Sequence, residues 1–437
     1  MLFVRYVNEY DRGMPVSRSA PARQRALREH NLALVLGAVA RTGPQSRARL
    51  ACLTGLTKAT VSSLVDTLVT GGLLHELGPS AAGADGRPTP GRPGLPLGLS
   101  PDGPVGIGLE INVDYIACCT VDLAQNLRRR ETVIADLRDQ PFEIVLDRAA
   151  SALSRALADA HVHGPVAGVS VAVPGLVDAE RGTLHLAPNL GWRDLPVVDE
   201  LRRRCGEDGL PVQLENEANL AALGELWCGG LRTPEGEPLR TFGYVSGEIG
   251  VGAGLVMDGR LFRGQRGFGG ELGHLPVGPD GPVCSCGATG CLERIAGQDA
   301  ILARAGLDPL TGPVTSSEEG RLSVLLENAR SAEPRAVRAV QEAGRALGSG
   351  IAALVNVVDV DTVVLGGMYA LLAPWLREPA RRELERRVVG MRWAPVRLLV
   401  SGVGQDAAVR GAAGLMIQKV INDPSSYLGD RSDRSAG

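Results

Sequence analysis

Apolar side chains return at helical spacing at Leu32, Val35, Leu36 and Val39, which predicts a first helix over about 22–41. Gly43-Pro44 stops it. Ser46 stands where a side-chain oxygen can cap a short second helix carrying Leu50 and Leu53. Gly55 supplies a tight turn. Thr57 then caps a third helix whose apolar stripe is Val61, Leu64, Val65, Leu68 and Val69, ended by Gly71-Gly72. A short helix, a glycine turn and a second amphipathic helix make a helix-turn-helix pattern. The runs 73–77 and 95–99 can pair as the two strands of a wing. The loop between them carries Gly86-Arg87-Pro88 and Gly91-Arg92-Pro93.

From Val105 the texture changes. Strand-like runs at 105–109, 116–121, 166–173, 242–246 and 362–365 alternate with helical stretches at 142–160, 218–227, 334–358 and 406–420. Strands first, then alternating helices and strands, predict an α/β body in two lobes. The expected organisation is an unstructured N-terminus over 1–20, a winged helix-turn-helix over 21–100, and a first lobe over 104–215 joined by the C-terminal helix 405–420. A second lobe over 216–404 and an unstructured tail over 421–437 complete it.

Charge sharpens the division. Residues 18–92 carry a net +6, although the whole chain stands at −3, so the remainder is near −9. A basic module on an acidic body points to a polyanion that meets only the module. Arg47, Lys58, Thr60, Ser62 and Ser63 are the candidate contacts from the second and third helices, since bases in the major groove are met near the start of a recognition helix. Arg87 and Arg92, flanked by Gly and Pro, are slim enough to enter a minor groove. No apolar run reaches the roughly 18 residues that span a bilayer, and the first twenty residues lack the apolar stretch of a secretion signal. The expected compartment is the cytoplasm, where disulfides between the eight cysteines are disfavoured.

Three of those cysteines fall within eight residues. His274, Cys284, Cys286 and Cys291 offer one imidazole and three thiolates, a closed tetrahedral set suited to a structural Zn²⁺ with no open position for catalysis.

Several runs, in this order and company, resemble the ROK family of repressors and sugar kinases, in its xylose-repressor type with an N-terminal winged helix. They are Val173-Pro174-Gly175-Leu176-Val177-Asp178, Ala187-Pro188-Asn189-Leu190-Gly191-Trp192, Glu215-Asn216-Glu217-Ala218-Asn219, Gly270-Glu271-Leu272-Gly273-His274 and the cysteine cluster. The resemblance covers residues from about 25 to 420. It implies a two-lobed actin-like, RNase H-like fold, a homodimer or homotetramer, and a sugar site at Gly175, Asn189, Asn216, Glu217, Glu271, His274 and Glu293. Carboxylates and amides suit hydroxyls, which both donate and accept. His274 can give one nitrogen to the metal and the other to the sugar.

Kinases of this family use glycine-rich phosphate motifs. The corresponding stretches here are Glu110-Ile111-Asn112-Val113-Asp114, with both glycines gone, and Glu248-Ile249-Gly250, with a hydroxyl lost and a carboxylate gained. Carboxylates beside phosphates repel, so no ATP is expected, and Glu217 stands as a degenerate base. The expected function is a sugar-responsive repressor that binds double-stranded DNA and a sugar or sugar phosphate, with no membrane association. The alternative is an ATP-dependent sugar kinase that also binds DNA. Regulation by another protein is a further possibility that the sequence does not test.

Overall fold

The computed structural model describes residues 20–78, 95–206, 209–278, 280–309 and 320–434. The chain divides into two compact units, Met1–Gly98 with Val420–Gly437, and Leu99–Lys419.

In the first unit, α1 (Ala20–Thr42), α2 (Arg47–Thr54) and α3 (Lys58–Thr70) pack around Leu32, Val35, Leu36, Leu50, Val61, Leu64, Val65 and Leu68, all buried. Both expected caps are present: Ser46 accepts from the Arg49 N–H and Thr57 from the Thr60 N–H. Gly55 sits at φ 72°, a left-handed value that closes α2 onto Ala51 and that other residues adopt only at a cost. β1 (Leu74–Glu76) pairs with β2 (Leu97–Leu99), and Gln45 exchanges two backbone hydrogen bonds with Leu97, at 3.1 and 2.9 Å. The wing base is thereby fixed next to the α2 cap. The N-terminal stretch 1–19 and the wing loop with Arg87 and Arg92 lie outside the described residues.

The expected unstructured tail is corrected. α12 (Ala407–Asn422) is followed by α13 (Pro424–Arg434), which packs on α1 and sets Leu428 against Gly71 at the end of α3. The Asp423 carboxylate accepts from the Ser425 hydroxyl at 2.7 Å and the Ser426 N–H at 3.2 Å, and Pro424 takes the first helical position. An acidic cap followed by proline is a helix start, not a tail.

The second unit holds two lobes built on one sheet plan. In the first, β3 (Val105–Ile111), β4 (Tyr115–Val121) and β5 (Leu127–Ile134) form an antiparallel meander, with α4 (Phe142–His163) packed on β3 and β4. β6 (Val166–Val173) lies parallel to β3. A small sheet of β7 (Leu176–Asp178), β8 (Thr183–Ala187) and β9 (Trp192–Leu195) and the helix α5 (Val197–Cys205) come next. β10 (Val212–Asn216) then pairs parallel with β6, giving the order β10-β6-β3-β4-β5.

The second lobe opens with α6 (Glu217–Cys228). β11 (Phe242–Gly247), β12 (Val251–Met257) and β13 (Arg260–Phe262) repeat the meander. After α7 (Glu293–Ala296), α8 (Gln298–Ala305), α9 (Arg321–Arg330) and α10 (Pro334–Val358), β14 (Thr362–Gly367) pairs parallel with β11. α11 (Met368–Arg387) and β15 (Arg397–Val400) complete the order β13-β12-β11-β14-β15. α12 runs close against β3: a Cβ on Gly108 would lie 2.0 Å from the Val409 carbonyl oxygen, so only glycine admits the helix there. β3 is buried along its whole length, in keeping with a run that is apolar or glycine except at Glu110. The ends of β3, β6, β10 and β11 meet between the lobes, where parallel α/β sheets commonly place ligands.

Candidate ligand cavity, metal cluster and helical face

All seven residues expected at a sugar site line one cavity between the lobes. Gly175, Asn189 and Asn216 come from the first lobe, and Glu217, Glu271, His274 and Glu293 from the second. Asn112 and Glu248, expected only as parts of altered phosphate motifs, line it too. The signal for both was present in those motifs, but only the fold turns them toward this cavity.

The β10–α6 junction is built first by local chemistry. Asn216 caps α6, its Oδ1 accepting from the Ala218 N–H at 2.9 Å and the Asn219 N–H at 3.2 Å, while its Nδ2 donates to the Gly175 carbonyl at 3.0 Å. Its amide is therefore committed to holding the cavity wall. Glu215 is buried beside it and accepts from Arg263 Nε at 2.6 Å. Arg263 follows β13, so this pair, which sequence reasoning missed, ties the two lobes together next to the cavity.

Glu271 and His274 are positioned by backbone packing. The tight turn Leu272–His274 lies on β12 so closely that a Cβ on Gly273 would stand 2.1 Å from the Val251 carbonyl oxygen. His274 Nε2 lies 3.8 Å from Glu271 Oε2, on the cavity side, while Nδ1 faces the cysteines.

The side-chain donors of His274, Cys284, Cys286 and Cys291 lie within 4.8 Å of one another, the only such group of three or more His, Cys, Asp or Glu among the described residues. Cys284 Sγ is 3.7 Å from His274 Nδ1, and Cys286 Sγ is 3.8 Å from Cys291 Sγ. Ligands about 2.3 Å from a tetrahedral centre stand about 3.8 Å apart. The cluster thus has the dimensions to hold a metal ion. Glu293 reaches both features: its Oε1 accepts from Cys284 Sγ at 2.8 Å, and the residue lines the cavity.

The β3–β4 turn carries a buried network. The Tyr115 hydroxyl donates to Glu110 Oε1 at 2.6 Å, and Asn112 Nδ2 lies 3.0 Å from that hydroxyl. Burial pushes the Glu110 carboxyl up to about 7 and Asp114 up to about 6. Burial, then the charge of Glu110, pushes Glu217 up to about 8. Glu248 is raised well above the usual carboxylate range by burial and by its acidic neighbours Asp114, Glu110 and Glu217. Uncompensated carboxylates that lose solvent favour the neutral form.

In the first unit, Lys58 and Ser63 are exposed at and near the start of α3, and Ser62 is half-buried. The Thr60 hydroxyl lies 2.9 Å from that of Thr57, inside the cap. Arg47 departs from expectation. It donates to the Ser62 carbonyl, to Asp66 Oδ1 at 2.7 Å and to Glu76 Oε1 at 3.1 Å. Its guanidinium braces α2 against α3 and β1.

The ROK family signature matches residues 106–419. A putative xylose repressor from Caldicellulosiruptor sp. (strain Rt8B.4) is 31% identical over 405 residues, covering 91% of this chain and 98% of its own length. The crystal structure of a ROK family transcriptional regulator, a homologue of the E. coli MLC protein, superposes with a TM-score of 0.71 at 25% identity, covering 91% of this chain and 97% of that one. A ROK family glucokinase from Streptomyces griseus, in complex with glucose and AMPPNP, superposes with a TM-score of 0.59 at 29% identity, covering 72% of this chain and 99% of its own.

Proposed function

The chain belongs to the ROK family, and from that membership we propose that it is a sugar-responsive, DNA-binding transcriptional repressor of carbohydrate-utilisation genes whose effector domain binds its sugar without phosphorylating it. The observation that carries this reading is the convergence of seven polar or glycine positions from both lobes on one cavity, with a three-cysteine, one-histidine cluster at its wall. The relatives support it by their extent. The repressor and the regulator match over 91% of the chain, whereas the glucokinase matches over 72%.

Sugar hydroxyls would find acceptors in Glu271 and Glu293 and an amide in Asn189. Glu217, neutral at pH 7 with a value near 8, can donate as well as accept. The β3–β4 turn lacks the glycines whose backbone could approach phosphate, and Asp114, ionised above about pH 6, would repel it. We assign Zn²⁺ to the cluster in a structural role. It would fix the loop from His274 to Cys291 and so orient His274 Nε2 and Glu293 toward the sugar. No described helix is long and apolar enough to cross a membrane. A cytoplasmic homodimer or homotetramer bound to double-stranded operator DNA fits the helix-turn-helix, Lys58 and Ser63 being its exposed candidate contacts.

The test is a panel of free and phosphorylated sugars read by thermal shift, with ATP and Mg²⁺ in a second arm read for turnover. A ligand at a hundred times its dissociation constant adds about 2.7 kcal/mol. Stabilisation without turnover is the expected result. Turnover that disappears in Glu217→Gln would replace this reading with that of a DNA-binding kinase.

A further inference from the structure

The most exposed large apolar side chains among the described residues are Val357 at 85%, Val389 at 83% and Trp393 at 79%. One corner of the second lobe holds all three. Asn356 donates from Nδ2 to the Arg387 carbonyl at 2.9 Å and accepts at Oδ1 from the Val389 N–H at 3.0 Å, which fixes the end of α10 beside the segment that follows α11. The Trp393 N–H donates to the Gly390 carbonyl at 2.9 Å and so folds the turn back next to Val389. Loose packing does not explain the exposure. Val360, Val388 and Val396, from the same two segments, are buried in the core of the lobe. The core takes its share and leaves the other three in water, where a patch of large apolar groups marks an interaction surface.

Charge decides the partner. Asp359 and Asp361 are exposed on one segment, and Arg392 is exposed on the other. None of the three makes an ion pair among the described residues. The neighbouring Arg386 and Arg387 are held by Glu383, at 3.2 and 2.6 Å. The uncommitted charges are thus of both signs, which suits neither a polyanion nor an anionic membrane surface. An apolar centre with carboxylates on one segment and a guanidinium on the other is self-complementary. Turned about a twofold axis, the aspartates of one copy can face Arg392 of the other, and the same contact is made twice. We propose that this corner, centred on Trp393, is the face through which two copies of the chain associate.

β14 starts at Thr362, directly after Asp361, and ends at Gly367, where a Cβ would stand 2.5 Å from Oε1 of Glu248 in the cavity wall. Six strand residues put about 20 Å between the two ends, so the contact lies away from the cavity. Tryptophan is a favoured anchor at the centre of an interface, with a rim that completes about 800 Å² per partner. A twofold dimer is also what a helix-turn-helix needs to read an operator of twofold symmetry. The inference rests on the homodimer reading above and is independent of the sugar.

The experiment is sedimentation of the full chain over a range of concentrations, without DNA or sugar. Wild type should associate reversibly. Trp393→Ala should raise the dissociation constant at least about thirtyfold, the effect of losing a central anchor. Arg392→Glu, and a second variant carrying both Asp359→Lys and Asp361→Lys, should each associate at least tenfold more weakly. An equimolar mixture of these two should recover wild-type association, because in the mixed dimer both charge contacts are again opposite in sign. Recovery also shows that the variants are folded, and a merely structural role of these residues would not produce it. If wild type associates and Trp393→Ala does so equally well, the contact lies elsewhere, and the homodimer reading stands without this face. Charge variants that weaken association but do not recover on mixing would overturn the twofold pairing. A wild type that stays monomeric at every concentration would overturn the homodimer reading and this inference together.

Discussion

The helical module and the two-lobed body assemble their candidate surfaces in opposite ways. Among the described residues of the module, the candidates left for a partner sit on the first turns of one helix, α3, exposed beside an apolar stripe that the same thirteen residues supply. In the body, the cavity draws on short runs of chain that lie far apart between Asn112 and Glu293. A local surface can lose a side chain without disturbing its neighbours. A cavity made from many segments couples each wall to the packing of both lobes. The comparison therefore predicts that substitutions in the body change stability and ligand response together, whereas in the module the two separate.

The largest effect should come from the cluster. Cys286→Ser should abolish one Zn²⁺ per chain in metal analysis and cost more than about 3 kcal/mol of stability, since folding and metal binding are one equilibrium at a structural site. A variant with full zinc content and unchanged Tm would contradict the assignment of the four ligands.

Next in size is the coupling. Asn189 stands on the first lobe and Glu271 on the second. If the sugar draws the lobes together, Asn189→Ala and Glu271→Ala should each abolish the sugar's effect on operator affinity, expected at about 5- to 150-fold in wild type. Both variants should still bind operator in a mobility-shift assay. Loss of response in only one of them would place the sugar on a single lobe and break the comparison.

Smaller still is a pH effect. The folded chain favours the neutral form of Glu217, so the stabilisation present below about pH 4.5 is lost as pH rises through about 8. Glu217→Gln keeps the shape and removes that loss. The variant's Tm, compared with wild type from pH 5 to pH 9, should gain steadily toward the alkaline end. A constant difference would mean that the carboxyl is not buried as described.

The same contrast governs what could be read from the sequence. The module was legible almost to the residue, because caps at Ser46 and Thr57 and the turn at Gly55 are local chemistry with local signatures. In the body, long periodic segments such as Pro334–Val358 were legible, but α11 was not, since Pro374 and Pro379 interrupt its pattern and tertiary packing carries the helix through them. The cavity residues were reached only through motif resemblance. Nothing in spacing alone brings Asn189 to Glu293, or pairs Glu215 with Arg263 across 48 residues. Arg47 shows the reverse limit: its position suits DNA, but its partners Asp66 and Glu76 lie 19 and 29 residues away, and only the fold shows that they reach it.

Arg47 and Lys58 give the finest test, because both are basic residues of the same small module with different surroundings. Lys58 is exposed at the first position of α3, and Arg47 is half-buried between two carboxylates. Lys58→Ala should leave the unfolding free energy within about 0.5 kcal/mol of wild type, as surface changes do. It should weaken operator binding and lower the slope of log affinity against log salt by about one unit. Arg47→Ala should do the opposite. The partly exposed ion pairs are worth little in themselves, about 0.2–1 kcal/mol each, but the variant also loses the bond to the Ser62 carbonyl and the packing of the stem between helices. A destabilisation of about 1 kcal/mol with an unchanged salt slope is the expected outcome, measured by denaturant melts and by operator titrations at several salt concentrations. If Arg47→Ala lowered the salt slope as Lys58→Ala does, its guanidinium would have to leave Asp66 and Glu76 when DNA arrives. The bracing role would then belong to the free protein alone.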